Sequence, residues 1–348
     1  MREWNGRPAR IAIVGAGAFG QALAVCCINA GVHVTMFNRD EKGLEILRQD
    51  AQFAACEFVS IPNWNGDFAS FDLVLLSIPC QVLRQIGTWI TNSLIRFHKS
   101  VEKIPELYVV SAAKGIEQQT VLLPHQILAQ VLPKSAKIGT LSGPSFAKEL
   151  RAGLPTAVVL ASQSPEMLHR AESLLHRSFF RVYGSDDIVG VEIGGALKNV
   201  IALVAGAVDG LELGHNARAA VITRGLGEIT QVGMKLGAQP LTFLGLSGLG
   251  DLILTCTGDL SRNRQFGLRM ARGESASSII ESMGQVIEGF TTAQSAFELV
   301  TKLQLDTPIL KLVHLVAAGK IPVRDALMTL LNRSQKGEFD WITPHESL

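Results

Sequence analysis

Charged residues are scarce in this sequence, and their signs nearly cancel. Lysine, arginine, aspartate and glutamate make up only 18% of the 348 residues, with a net charge of +1, whereas hydrophobic residues reach 47%. This composition is typical of a compact globular protein and argues against a disordered chain. It also argues against nucleic acid or an anionic membrane as the main partner. The length allows two domains of ordinary size, each with its own core.

Cysteine is also scarce, and its pattern points away from a disulfide framework. The five cysteines (Cys26, Cys27, Cys56, Cys80 and Cys256) are odd in number and show no Cys-x-x-Cys or Cys/His ligand spacing. A reducing, cytoplasmic environment fits this pattern best. We find no cluster with the spacing of metal ligands and therefore predict no metal.

The sequence has only one run that superficially resembles a signal peptide or a membrane span. Residues 11–32 carry no charge and follow three arginines, but Gly15, Gly17 and Gly20 interrupt the run. A spanning helix would more plausibly keep its apolar run unbroken, whereas a strand, a glycine turn and a helix explain these residues. We therefore predict no stable membrane insertion.

Residues 15–20 (Gly-Ala-Gly-Ala-Phe-Gly) have the spacing of a dinucleotide-binding turn. A buried strand is predicted at 10–14, a helix follows to about residue 30, and a second strand is predicted at 32–37. In such a turn the first glycine permits a tight bend and the second lets the backbone approach a pyrophosphate. The third lets the helix pack closely while its N-terminal amides face the phosphates.

The residues after the second strand bear on the choice of cofactor. A site specific for NAD usually places an acidic residue there, whereas this chain has Asn38 and Arg39. Arg39 is suited to stacking on adenine or pairing with a 2′-phosphate, which favours NADP(H). Asp40 leaves NAD(H) open, and the alternative is that Arg39 is a solvated arginine in a turn.

Further strands alternate with helical stretches in the first half of the chain. They are predicted at 71–78, 107–112, 136–141, 156–161 and 180–183. Such alternation predicts an α/β domain with a mostly parallel sheet, whose ligands bind beyond the carboxyl ends of the strands. Lys114 and the Gly-Pro turn in residues 141–147 occupy such positions, although either could be ordinary loop chemistry. Residues 96–105 are polar and partly basic, and we predict a solvated surface excursion there.

The domain boundary is predicted where Asp186 or Asp187 would place a carboxylate at the start of the next helix. Beyond it strand-like runs thin out and helical spacing dominates, as in residues 217–236. We therefore predict a dinucleotide-binding domain over 1–187 and an all-helical substrate-binding and catalytic domain over 188–348. Frequent glycines in the second domain indicate close approach between helices.

One lysine lies in the long apolar stretch from 190 to 210. Nearly every residue around Lys198 is small or apolar. In a buried helix its ammonium would have to find polar partners or lose its proton more easily, which is a setting for acid/base chemistry. The alternative is a lysine at a helix end that extends its charge to solvent.

Two polar islands follow in the second domain. Asp251 is the only charge in a leucine-rich run and needs a partner such as Lys198, although a helix N-cap is the alternative. Ser261, Arg262 and Asn263 then offer hydroxyl, guanidinium and amide donors suited to a phosphate dianion. Taken singly, such a turn is more often a solvated face.

Eight motifs lie at 15–20, 113–115, 142–147, 196–200, 216–225, 248–251, 261–263 and 286–289. They occur in the order seen in soluble, bacterial-type NAD(P)-dependent glycerol-3-phosphate dehydrogenases, and the chain resembles that family. The resemblance covers nearly the whole chain, from residue 11 to residue 332. A set of this size in one order is far more specific than any one motif.

The resemblance implies a Rossmann-type domain followed by an all-helical domain like the C-terminal domain of 6-phosphogluconate dehydrogenase, with the site in the cleft between them. It implies an enzyme that interconverts dihydroxyacetone phosphate and sn-glycerol 3-phosphate and supplies glycerophospholipid synthesis. It also implies a homodimer.

Individual roles follow from the same resemblance. Lys198 is the implied proton donor and acceptor, Asp251 positions it, and Lys114 polarises or anchors the substrate. The implied substrate contacts are Lys114, Gly143, Ser145, Lys198, Asp251, Ser261, Arg262 and Asn263. The implied cofactor contacts are Gly15, Gly17, Ala18, Phe19, Gly20, Arg39, Lys114, Ala147, Arg262, Val286 and Glu288.

The departures from the family pattern are modest. Phe19 stands where many members carry tryptophan, and His215 stands where many carry aspartate and has no assigned role. The excursion at 96–105 is longer than usual, and the tail from residue 333 finds no match.

Two other functions compete with this interpretation. A dehydrogenase for a different hydroxy acid would use a carboxylate-binding arginine without the Ser-Arg-Asn set. A catalytically silent dinucleotide sensor would keep the glycine turn but dispense with Lys198 and Asp251, and both are present here.

Overall fold

The computed structural model describes residues 3–4, 6–284, 286–334 and 337. The strands are β1 (Glu3–Trp4), β2 (Arg7–Pro8), β3 (Arg10–Val14), β4 (His33–Asn38), β5 (Cys56–Ser60), β6 (Leu73–Leu76), β7 (Leu107–Ser111), β8 (Ala136–Ser142), β9 (Thr156–Ala161) and β10 (Phe180–Ser185). The helices of the first half are α1 (Ala18–Ile28), α2 (Glu41–Arg48), α3 (Leu83–His98), α4 (Pro124–Val131), α5 (Ala147–Arg151) and α6 (Pro165–Leu175). Most of the unmatched tail lies outside the described residues.

Helices alone form the regular structure of the second half, within the residues described. They are α7 (Ile188–Gly210), α8 (Gly214–Lys235), α9 (Asp251–Thr257), α10 (Arg262–Ala271), α11 (Ala276–Met283), α12 (Glu288–Lys302), α13 (Pro308–Ala317) and α14 (Val323–Leu331). One compact unit holds the described residues up to Glu117 together with Leu122–Glu192, and the other holds Gln118–Val121 and the described residues from Ile193 onward. The boundary after residue 187 stays a prediction.

The described part of the first unit contains an eight-stranded sheet in the order β10-β9-β8-β7-β6-β3-β4-β5. Neighbouring strands are parallel except β8 and β9. The predicted α/β class with a mostly parallel sheet is therefore confirmed. The sequence reading missed β5, because this edge strand is short and only Ser60 in it is buried, so it carries little hydrophobic signal.

The chain reverses its direction of travel across the sheet at β3. β4 and β5 lie on one side of β3, whereas β6, β7 and β8 follow in turn on the other side. The four strands β3, β6, β7 and β8 are parallel, so their carboxyl ends meet at one edge, where ligands bind in sheets of this kind. The glycine turn, Lys114 and Gly143 all follow strands of this group.

The surface excursion predicted at 96–105 starts three residues later than expected, although Arg96 and Phe97 are exposed as predicted. Helix α3 continues to His98, because Ile86, Ile90 and Leu94 keep a buried stripe at four-residue spacing. Arg96 lies in the last turn of α3, where a cation interacts favourably with the negative end of the helix dipole. From residue 99 the chain leaves the helix and is largely exposed, as predicted.

Helix α7 is the one described helix long and apolar enough to cross a membrane. However, 94% of its most apolar window is buried inside the protein, as in the core helix of a globular fold. It starts after Asp187, whose Oδ1 accepts a hydrogen bond from Gly190 N at 2.8 Å. A carboxylate at this helix start was predicted and is present.

Glycines let α7 and α10 approach until their backbones touch. A Cβ on Gly206 would overlap the carbonyl oxygen of Arg264, and a Cβ on Gly267 would overlap that of Leu203. The prediction that glycines in this half serve close helix packing is therefore confirmed for this pair.

Candidate active site

Each glycine of the turn after β3 meets a different local constraint. Gly15 has φ +110°, and a Cβ there would overlap the carbonyl oxygen of Ser77 in the loop after β6. A Cβ on Gly20 would overlap the carbonyl oxygen of Gly15, so the helix packs tightly on the turn. By contrast, nothing lies within 4 Å of a Cβ built on Gly17, the exposed N-cap of α1. The turn therefore leaves open space at a helix N-terminus, which fits a pyrophosphate.

The next cofactor candidates lie on two helices in contact with each other, α1 and α5. Ala18 is exposed at the start of α1, and half-buried Phe19 packs against the core of the sheet. Ala147 begins α5 and packs against the same core.

Arg39 lies exposed directly after β4. Its neighbour Asp40 is engaged as the N-cap of α2, because its Oδ1 accepts from Lys42 N at 3.1 Å. The carboxylate of Asp40, on which the NAD(H) alternative rests, therefore caps a helix. The guanidinium of Arg39, by contrast, lies on the surface beyond the strand.

The loops after β7 and β8 meet at the carbonyl oxygen of Gly143. Lys114 Nζ donates to this oxygen at 3.3 Å, and Ser145 Oγ donates to it at 3.0 Å. Gly143 has φ +138°, and a Cβ there would lie 2.9 Å from the Cα of Val158, so a side chain is excluded. The structure brings these three predicted substrate contacts together.

Lys198 lies in the middle of α7 and is only 6% exposed. Its Nζ donates to Asp251 Oδ1 and, at 2.7 Å, to Thr255 Oγ1 on helix α9. The Thr255 hydroxyl donates in turn to the Asp251 carbonyl at 2.6 Å, which leaves its lone pairs for the amine. Attraction to Asp251 offsets the cost of removing both charges from water. The predicted pair is present, and the solvent-extended alternative is wrong.

A wide turn brings the start of α9 against α7. Residues Leu246–Gly250 form a π-helical turn, and Gly194 approaches it so closely that a Cβ would lie 2.7 Å from the Ser247 carbonyl oxygen. Gly194 precedes Lys198 by one helical turn. Backbone contact at this point therefore fixes where the carboxylate of Asp251 meets the amine.

The Ser-Arg-Asn turn is the start of α10 rather than a solvated face. Ser261 is its N-cap and is 3% exposed, with Oγ accepting from Arg264 N at 3.3 Å. Asn263 Nδ2 donates to Asn199 Oδ1 at 2.9 Å, and Asn263 Oδ1 accepts from Gly289 N at 2.9 Å. The turn is thus tied to Asn199, the neighbour of Lys198, while the side chain of Arg262 is exposed.

The last two cofactor candidates lie near this turn in the second unit. Glu288 begins α12, directly before the glycine whose amide donates to Asn263, and Val286 is 48% exposed two residues earlier.

Two family models match the chain, one after the other. The model described as NAD-dependent glycerol-3-phosphate dehydrogenase N-terminus matches residues 10–168, and the corresponding C-terminus model matches residues 187–328. The chain belongs to the NAD-dependent glycerol-3-phosphate dehydrogenase family.

Relatives and solved structures agree with this membership of the glycerol-3-phosphate dehydrogenase family. The chain is 41% identical over 340 residues to glycerol-3-phosphate dehydrogenase [NAD(P)+] of Syntrophotalea carbinolica, covering 95% of this chain and 99% of the relative. The protein of the same name from Nitrosomonas eutropha is 42% identical over 338 residues, with 95% and 99% covered. The crystal structure of glycerol-3-phosphate dehydrogenase from Coxiella burnetii superposes with a TM-score of 0.84 at 30% identity, covering 94% and 99% of the two chains.

Sequence reasoning missed two polar residues. Thr255 accepts a hydrogen bond from Lys198, and Asn199 ties Lys198's helix to the Ser-Arg-Asn turn. The signal for Thr255 is its spacing from Asp251, since residues four apart share one face of a helix. Asn199 adjoins Lys198 in the sequence, but its bond to Asn263 depends on helix packing. His215, which had no assigned role, has its Nδ1 2.9 Å from Arg218 Nη2, so this ring nitrogen accepts the hydrogen bond.

The remaining nucleophiles of the described chain support little other chemistry. Its five cysteines are free thiols. Cys256 adjoins Thr255, and burial raises its pKa to about 12, so it stays a neutral thiol near pH 7. Within the described ranges no three His, Cys, Asp or Glu side chains form a group that could hold a metal ion.

Proposed function

We propose that this chain interconverts dihydroxyacetone phosphate and sn-glycerol 3-phosphate with NAD(P)(H). The observation that carries the proposal is the buried ammonium of Lys198, bonded to Asp251 and Thr255, in a chain whose relatives are named glycerol-3-phosphate dehydrogenase [NAD(P)+].

We assign the pyrophosphate of the dinucleotide to the glycine turn of the first unit. The amides at the N-terminus of α1 would hold the pyrophosphate at the open space beside Gly17, and Gly15 and Gly20 keep the turn tight. Side-chain contacts come from Ala18, Phe19, Arg39, Lys114, Ala147, Arg262, Val286 and Glu288. When bound, the nicotinamide supplies hydride in the reducing direction and accepts it in the reverse direction.

Lys198 moves the proton. In the reducing direction its ammonium donates a proton to the oxygen on C2 of the substrate, and in the reverse direction the neutral amine takes it back. Asp251 compensates the ammonium and holds its orientation, and Thr255 offers an acceptor for a second N–H of the same nitrogen. These two contacts orient the ammonium that donates to the substrate oxygen.

The phosphate is held by Ser261, Arg262 and Asn263. The guanidinium of Arg262 can bind two phosphate oxygens at once, and the backbone amides of the first turn of α10 favour an anion. Lys114, Gly143 and Ser145 hold the triose. Binding energy from the phosphate, which does not react, then orients the carbonyl for reduction.

NADP(H) is the favoured cofactor in this proposal, and NAD(H) is the alternative. Exposed Arg39 suits a 2′-phosphate, and Asp40 is engaged in capping α2. The product would feed glycerophospholipid synthesis in the cytoplasm, a reducing compartment that suits the free cysteines. We expect a homodimer, which light scattering on the purified protein can test.

The decisive assay follows the oxidation of NADPH and NADH spectroscopically with dihydroxyacetone phosphate. Dihydroxyacetone without the phosphate is the matched control. We expect turnover with the phosphorylated ketone and a much lower kcat/KM without the phosphate. Equal kcat/KM on both ketones, or turnover only with a 2-oxo acid, would overturn the proposal.

A further inference from the structure

Two neighbouring residues of α10 grip α7 at points far apart. Asn263 bonds Asn199, whereas the side chain of Arg264 reaches Asp209 near the C-terminal end of α7. The points of attachment are ten residues apart, or about 15 Å along an α-helix. A helix start held at two such points can neither slide along nor rotate on its neighbour.

The Arg264 attachment is short and largely buried. Its Nε lies 2.8 Å and its Nη2 2.7 Å from Asp209 Oδ2, and its Nη1 lies 2.9 Å from Asp259 Oδ1. The side chains of Arg264 and Asp209 are 10% and 15% exposed, respectively, so water screens this pair much less than a surface pair. The backbones of α7 and α10 are in contact at Gly206, so the two helices cannot move closer together there.

Arg218 gives this pair a natural internal control. It lies on α8 and donates to both oxygens of Asp209, at 3.0 and 3.1 Å, and its Nη2 donates to His215. No hydrogen bond of Arg218 described here reaches α10. Removal of Arg218 therefore disturbs the same carboxylate while leaving the Arg264 attachment in place.

From these contacts we infer that Asp209 and Arg264 are positioning residues, which set the distance between the phosphate-holding turn and the amine of Lys198. The inference rests on the proposed function, since it assigns these residues to the handling of the phosphate of that substrate. Neither residue touches substrate in this assignment. Arg264 acts through Ser261 and Asn263 in its own helical turn, and Asp209 acts through Arg264.

The test compares Asp209→Asn, Arg264→Lys and the control Arg218→Gln in the full-length enzyme. Asp209→Asn removes the charge that holds Arg264, and Arg264→Lys keeps a cation but loses the planar fork. For both we expect KM for dihydroxyacetone phosphate to rise about tenfold or more, because small displacements of a binding group cost large factors. We expect KM for NADPH and kcat/KM for unphosphorylated dihydroxyacetone to stay within about twofold, because remote phosphate binding is the part affected.

The control and the unfolding midpoint separate positioning from mere stability. Arg218→Gln should leave KM for dihydroxyacetone phosphate unchanged even where it lowers the unfolding midpoint. If Asp209→Asn fails to fold, Arg264→Lys carries the test. An unchanged KM in the folded variants, or equal losses on both ketones, would overturn the inference. A wild-type enzyme inactive on dihydroxyacetone phosphate would instead overturn the proposed function, and the inference with it.

Discussion

The predicted site residues of the two units differ in what they contribute, which is open space in the first unit and buried charge in the second. In the first unit the important feature is empty space: Gly17 has nothing within 4 Å of its would-be Cβ, and neighbouring glycines remove atoms from the turn. In the second unit the site consists of buried charges, with Lys198 6% and Asp251 1% exposed. A site of the first kind is damaged by adding atoms, and one of the second kind by removing a charge. The following experiments use that difference.

Removal of the buried amine should have the largest effect. We expect Lys198→Ala to lower kcat by about 10²–10⁴-fold, the usual contribution of a positioned acid or base. NADPH affinity should stay nearly unchanged, because the glycine turn lies in a different compact unit. Single-turnover kinetics and fluorescence titration of NADPH measure the two quantities. A kcat close to that of the wild type would refute the role of Lys198.

Addition of atoms to the empty space should have the next largest effect. Gly17→Val meets no neighbouring atom in the free fold and should lower the unfolding midpoint only slightly, as a poorer N-cap, yet raise KM for NADPH about a hundredfold by displacing the pyrophosphate. Gly15→Ala is the matched control, since its φ of +110° and its contact with the Ser77 carbonyl oppose any side chain. That variant should unfold more easily, by about 1–3 kcal/mol. If both variants lost stability alike, Gly17 would not face open space.

Local features of the site could be predicted from the sequence better than the contacts between its elements. The glycine turn and the Lys198–Asp251 pair could be foreseen, because a motif between a strand and a helix and a lone carboxylate among leucines are both local signals. Edge strand β5 could not, since its burial is too slight to produce a pattern. The bonds of Arg264 to Asp209 could not either, because they depend on helices whose packing angle no local spacing specifies.

A surface charge in the first unit should have a smaller, selective effect. We expect Arg39→Ala to lower kcat/KM for NADPH about tenfold, the worth of one charge-assisted hydrogen bond, and to leave NADH nearly unaffected. Lys42→Ala, which removes another exposed cation just beyond β4, should change neither value. Equal losses with both cofactors would indicate that Arg39 contacts adenine rather than a 2′-phosphate.

Glu228 is a second buried carboxyl group of the second unit, and unlike Asp251 it has no role in the proposed chemistry. Glu228 on α8 accepts from Ile309 N at 2.8 Å and Leu310 N at 3.0 Å at the start of α13. Burial raises its pKa to about 7, despite these two bonds, which favour the charged form. The folded protein therefore holds a proton that the unfolded chain releases at lower pH.

The sign of the resulting pH dependence follows from that raised pKa. The contribution of Glu228 to the free energy of unfolding is fully present below the unfolded pKa and is lost as pH rises through 7, up to about 3 kcal/mol in total. We expect Glu228→Gln to flatten the fall in the unfolding midpoint between pH 5 and pH 8 while kcat stays unchanged. A pH profile of stability identical to that of the wild type would contradict this assignment.

The glycines of α7 restrict how this protein can evolve. Gly194, Gly206 and Gly210 each face a carbonyl oxygen of a neighbouring segment, with would-be Cβ distances of 2.7 Å to Ser247 and 2.5 Å to Leu268 for the first and last. Every amino-acid substitution at glycine adds at least a Cβ, so at these positions even alanine would overlap a neighbouring backbone. Substitutions along α7 are therefore expected to be tolerated better between these three glycines than at them.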